Sequence, residues 1–167
     1  MIFGHVAVSA LAYRYLKADF VPMMAAAVVP DVVDKVAHYV FVLGAGSRWM
    51  GHTLIGVAVS TALIHLLWGE RAAGSWALGY LLHLFSEFGG VVPYFYPFVQ
   101  YEFPYDYGFV ETLSLSFTNL PRMALEMGLC LWAGAALFDL WFIKEKRHEA
   151  VRASVGRFLP RFFTNLH

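Results

Sequence analysis

Five apolar runs separated by short polar breaks dominate this chain: residues 2 to 17, Phe20 to Leu43, Thr53 to Trp68, Trp76 to Phe88 and Met123 to Ile143. Runs of this kind read as helices that cross a bilayer. Met123 to Ile143 is the cleanest. At 1.5 Å per residue it covers a hydrocarbon core of about 30 Å, and only Glu126 and Asp139 interrupt it. The first run is short for that core and would have to tilt or pack against the others. Composition agrees, with 59% hydrophobic and 14% charged residues where soluble domains carry roughly a quarter charged. The pattern predicts an all-α integral membrane bundle of about four to five short transmembrane helices over residues 1–143, then a basic amphipathic tail over 144–167.

Local signals place the ends of these helices. Gly69 closes the third run, Ser75 can cap the fourth, and Gly89-Gly90 stops it. Residues 89–108 are rich in Tyr, Phe and Pro, which suits either a lid at headgroup level or a packed interfacial loop with no catalytic role. The N-terminus lacks a basic segment and a cleavage site of the secretory kind, so it is expected to be retained. The tail interleaves Lys144, Lys146, Arg147, Arg152, Arg157 and Arg161 with Phe158, Leu159, Phe162 and Phe163, a pattern suited to membrane lipids at an anionic surface.

With that tail on the cytoplasmic side and five alternating helices, Arg14, Lys17 and Arg71 also fall inside, while Arg48 and Arg122 fall outside. This predicts residence in the cytoplasmic (inner) membrane of a prokaryote, with the C-terminus cytoplasmic. The formal net charge is zero, so no basic field exists to attract nucleic acid. The single cysteine, Cys130, excludes an intrachain disulfide and a cysteine metal cluster, and reads as packing.

Ionisable groups inside apolar helices carry the chemical signal. His5, Asp31, Asp34, His38, His52, His83 and Glu87 all lie in or beside the apolar runs, where charge is expensive. Asp34 and His38 are four apart, as are His83 and Glu87, and Asp31 precedes Asp34 by three, so each helix can aim more than one ligand at a point. Imidazole mixed with carboxylate suits zinc, manganese or iron better than calcium. Pro30 breaks the helix immediately before Asp31. In the five-helix topology His5, Asp31, Asp34, His38, His52, His83 and Glu87 reach one depth, whereas His65 and His148 do not. Bland readings stand beside these: a core histidine bonded to a carbonyl, Asp31 as a helix N-terminal acid, Glu126 paired with Arg122, and Asp139 solvated or paired with the tail.

At these residues the chain resembles the YdjM-like family of membrane-bound, predicted metal-dependent hydrolases. The matching stretches are Gly4-His5, Pro30-Asp31-Val32-Val33-Asp34, Gly51-His52-Thr53 and His83-Leu84-Phe85-Ser86-Glu87, followed by Tyr96-Pro97. They cover residues 1 to about 98 in the family's order. Two departures stand out: the family's "PDxD" has an extra residue here, which leaves open which Asp is the ligand, and its last Asp is Glu87. That family in turn resembles zinc-dependent phospholipase C and the single-strand nucleases, which implies phosphoester hydrolysis.

Residues and resemblance together lead to one expectation: a membrane-embedded metal-dependent hydrolase acting on a phosphoester of a lipid or lipid-linked substrate. Its divalent metal, zinc with manganese or iron as alternatives, is held by His5, Asp31 or Asp34, His52, His83 and Glu87. The other Asp acts as general base, and Arg48 contacts the phosphate. The alternative is a non-enzymatic membrane protein, either a divalent-cation carrier or a scaffold with a structural metal.

Overall fold

The structure, a computed structural model, describes residues 3–43, 48–87, 91–103 and 109–143. Its secondary structure is helical: α1 (Gly4–Leu16), α2 (Phe20–Ala26), α3 (Val29–Tyr39), α4 (Leu54–Trp68), α5 (Glu70–Phe85), α6 (Phe109–Thr118) and α7 (Leu120–Ile143), with a 3₁₀ turn at Met50–His52 before α4. The run from Phe20 to Leu43 is two helices rather than one. Pro30 falls in the first turn of α3, where a missing N–H is tolerated, so the chain restarts there instead of kinking.

Thr53 caps α4, its hydroxyl accepting from Gly56 N. A single residue, Gly69, joins α4 to α5; its φ of 90° is one that other residues rarely adopt. Helix α5 therefore begins six residues before Trp76, and Ser75 is interior to it rather than a cap. Its buried hydroxyl accepts from Asp19 N at 2.8 Å and donates to the Arg71 carbonyl at 2.9 Å, tying the start of α2 to α5.

Two apolar clusters hold the helices. One joins Ala26, Val57, Ile64, Trp76, Tyr80 and Leu84 and fixes α2 and α4 on α5. The other joins Ala7, Ala10 and Leu11 of α1 to Ala133 of α7, with Cys130 packed against it. Within 91–103 the aromatic loop is anchored to the bundle: Leu54 N donates to the Tyr94 carbonyl at 2.9 Å, and Val92 is buried in the larger cluster.

The structure corrects the reading of the apolar runs as membrane spans. Among the described residues, no helix is long and apolar enough to cross a membrane. The transmembrane bundle, the inner-membrane placement and the cytoplasmic C-terminus inferred from it therefore lose their basis. The reason is visible in length and polarity. Helices α1 to α5 have 7 to 16 residues each, short of the roughly 20 that a span needs. Helix α7 has 24 residues, but it carries Arg122, Glu126 and Asp139, which the fold uses. Phe3 N donates to Glu126 at 3.0 Å, Arg122 pairs with Glu126 at 3.6 Å, and Arg14 of α1 donates to Asp139 at 3.1 Å. The basic tail, 144–167, lies outside the described residues.

Candidate metal centre

The site forms where the end of α5, the start of α1, helix α3 and the 3₁₀ turn meet. Its base is Asp34, which is fully buried on α3. The carboxylate accepts from Trp49 N, from Gly51 N at 2.7 Å and from His52 Nδ1 at 2.7 Å. This packing dictates the glycine at 51. A Cβ there would meet Asp34 Oδ1 and the Pro30 carbonyl oxygen, each at 2.8 Å, so only glycine lets the turn close on the carboxylate. From the other side Tyr80 donates its hydroxyl to the Gly51 carbonyl at 2.7 Å. Burial, then the Asp34 charge, pushes the Tyr80 phenol above its ordinary value and keeps it a donor.

Three buried histidines are each anchored through Nδ1. His52 donates to Asp34, and His83 donates to the Ala27 carbonyl at 2.9 Å. His5 Nδ1 lies 2.6 Å from Ser86 Oγ, whose proton is already committed to the His83 carbonyl, so the hydroxyl accepts from His5. The Nε2 atoms then carry lone pairs that point inward. His52 Nε2 and His83 Nε2 are 3.3 Å apart. Two nitrogens bound to one tetrahedral zinc at its usual bond length would lie about 3.3 Å apart. His5 Nε2 is 2.7 Å from Glu87 Oε1, a contact that needs either a second proton on His5 or a cation between them. Nitrogens fixed by an oxygen acceptor on the far side of the ring are the usual orientation of metal-binding imidazoles.

One ligand atom from each of His5, Asp31, His83 and Glu87 lies within 4.8 Å of the other three. His52 Nε2 adjoins the same group, 3.7 Å from Asp31 Oδ1. The donor set is two carboxylates and three imidazoles, which fits zinc, manganese or iron(II). Although burial opposes the ionisation of Glu87, the contact with His5 and the Arg48 charge keep it far below the usual carboxylate range. Burial likewise works against Asp31, yet the Lys35 ammonium, 2.9 Å from Oδ1, leaves its carboxyl lowered. Burial and the neighbouring His5 push His83 down to about 4, so it is a neutral ligand-type imidazole at neutral pH.

Of the residues singled out in the sequence, His5, Asp31, His52, His83 and Glu87 come together here. Asp34 stands behind them as the acceptor for His52, its lone pairs taken up by three donors. Arg48 bonds Glu87 Oε2 at the rim. His38 packs edge-on against Tyr39, and His65 lies exposed in the last turn of α4. The sequence reading gives no role to Ser86, Lys35 or Gly51. Ser86 sits inside the His83–Glu87 stretch and Lys35 lies one turn beyond Asp31, so spacing held a signal for both. Comparison of the chain with known protein families, with curated proteins and with solved structures returns no match.

Proposed function

We propose that this protein is a metal-dependent hydrolase of phosphoesters. The observation that carries the reading is the orientation of His5, His52 and His83, each donating through Nδ1 to an oxygen and presenting Nε2 to the same space as Asp31 and Glu87. His5, His52, His83 and Glu87 would hold the ion, with Asp31 beside it. A divalent metal in such a site activates water near neutral pH and polarises a phosphoryl oxygen.

The chain's own groups then divide the remaining work. With Asp34 spent on holding His52, Asp31 is the carboxylate free to serve as general base: 19% of its side chain is exposed, against 3% for Glu87 and none for Asp34. Asp31 takes a proton from the attacking water as the new P–O bond forms, and the bond to the leaving alkoxide breaks. Arg48, on the rim, faces the phosphoryl oxygens. A preference for lipid-linked esters depends on membrane-spanning helices, which the described residues do not provide. Lipid and soluble esters therefore enter the test side by side.

The test is metal analysis of purified protein by atomic emission, followed by hydrolysis of bis(p-nitrophenyl) phosphate and of phospholipid dispersions. At least one zinc, manganese or iron per chain and metal-dependent turnover are expected. Tightly bound metal with no turnover on either class would leave a structural metal site. A folded, metal-free protein that still hydrolysed esters would overturn the proposal.

A further inference from the structure

Helix α7 has its polarity reversed. A surface helix ordinarily hides an apolar stripe and shows its charges to water. Here the charged residues are spent on the fold: Glu126 is buried and accepts from Phe3 N, Arg122 pairs with Glu126, and Asp139 pairs with Arg14 of α1. The exposed positions from Leu120 to Phe138 are all uncharged. Six of them, Leu120, Ala124, Met127, Leu131, Gly134 and Phe138, follow one another at alternating steps of four and three residues, the spacing that keeps a seam facing a second helix. The four large members are 73%, 58%, 72% and 60% exposed, in chain order. A Cβ added at Gly134 would meet nothing within 4 Å.

The order of sizes along the seam points to what lies against it. Large, small, large, large, small, large reads the same from either end. When two copies lie antiparallel about a two-fold axis between Met127 and Leu131, Leu120 of each falls opposite Phe138 of the other, Ala124 opposite Gly134, and Met127 opposite Leu131. The small pairs let the backbones approach, and the large pairs fill the space on either side of them. A parallel pair would instead bring both half-exposed Asp139 carboxylates to the same end of the seam, where they repel. With Trp132 at its edge, the seam exposes on the order of 800 Å² per copy, the share each partner brings to an interface of standard size and more than a monomer ordinarily leaves uncovered. A lipid phase asks only that a surface be apolar and imposes neither the spacing nor the order of sizes.

We propose that the partner of this face is a second copy of the chain, joined through α7 in an antiparallel, two-fold pair. The dimer depends on neither the metal centre nor the hydrolase reading.

Sedimentation equilibrium on the full chain over a wide concentration range tests this, with flotation on neutral phosphatidylcholine vesicles run on the same protein. Wild type should be a dimer. Leu131→Glu sets a charge opposite Met127 of the other copy and should weaken association about tenfold or more, while helical content by circular dichroism stays unchanged because the position is exposed in the single chain. Met127→Lys should do the same, and Leu66→Glu, on the exposed side of α4, should leave the dimer intact. In a Cys130→Ser background, a mixture of Ala124→Cys and Gly134→Cys chains should form a disulfide-linked pair on oxidation. Ala124→Cys alone should not, because the antiparallel pair holds its two copies about 15 Å apart along the helix axis. Wild type that stays monomeric at every concentration overturns the proposal, and a monomer that floats with the vesicles makes the face a lipid surface instead. A dimer that survives Leu131→Glu and Met127→Lys also overturns it, and self-linking of Ala124→Cys overturns the antiparallel arrangement.

Discussion

Asp34→Asn is the substitution that most directly separates a supporting carboxylate from a metal ligand. The carboxylate receives three N–H donors, from Trp49, Gly51 and His52, and has no proton to give. Asparagine keeps the shape but turns one oxygen into an NH₂ group. With its oxygen toward His52 and Trp49, the amide nitrogen faces Gly51 N–H. With the amide flipped, it faces the other two. At least one buried donor is left unsatisfied, at about 1–3 kcal/mol, and the charge assistance to the His52 bond is lost as well. A stability loss of about 2–4 kcal/mol follows for the metal-free protein, readable by urea unfolding. His52 also loses the acceptor that fixes its ring, so metal affinity should fall about 10–100-fold, measured by competition with a chromophoric chelator. Asp34→Asn with wild-type stability and wild-type metal affinity would refute the assignment of Asp34 as the anchor of His52. A complete loss of metal from a variant that remains fully folded would instead make Asp34 a ligand.

Three further outcomes follow from the same geometry. Gly51→Ala touches no chemical group, yet its methyl meets Asp34 and the Pro30 carbonyl; it should cost about 1–3 kcal/mol by overpacking and lower metal affinity, and a silent variant in both assays would refute the tight closure of the turn. Glu87→Gln keeps shape while removing the charge beside His5 and Arg48, and should sharply reduce metal occupancy by atomic emission, with Glu87→Asp milder; equal occupancy in wild type and Glu87→Gln would remove Glu87 from the ligand set. Because Asp31 and Glu87 are held below their ordinary range, their contribution to stability is present at neutral pH and lost as pH falls through the usual carboxylate range and below it. Circular dichroism of metal-free protein should show destabilisation on acidification in that window, and Glu87→Gln should flatten it.

Spacing is a partial guide to which candidate residues converge: Asp31 and Asp34 do share α3, whereas α5 ends at Phe85, so Glu87 reaches the cluster from beyond the helix and not by the helical spacing from His83 that the sequence suggests. What spacing could not give is the partner of each side chain. Asp31 and Asp34 lie on one helix three residues apart and look equivalent in sequence. They part company because the 3₁₀ turn at Met50–His52 closes over Asp34 and supplies two donors, with Trp49 just before it supplying the third, leaving Asp31 toward the mouth. That closure depends on Gly51 and on the Tyr80 hydroxyl from a distant helix, neither of which periodicity can assign.

The membrane reading failed for a related physical reason. An apolar run records how much surface a segment must bury and is silent about what covers it. In α7 the charges that look like interruptions of a span are attachment points: Glu126 receives Phe3 N–H and Asp139 receives Arg14, so the helix is registered against α1 at two places nearly four turns apart. The first of these contacts lies only two residues before His5. Helix α7 contributes no ligand, yet it pins the end of the chain that delivers His5 Nε2 to Glu87. Glu126→Gln should therefore act on the centre at a distance. Losing the charge-assisted bond to Phe3 N should loosen the start of α1 and weaken metal binding several-fold while leaving the α4–α5 pair intact, measurable as increased amide exchange confined to the first turn of α1. Unchanged exchange at Gly4 to Ala7 together with unchanged metal affinity would show that His5 is positioned by Ser86 and Glu87 alone.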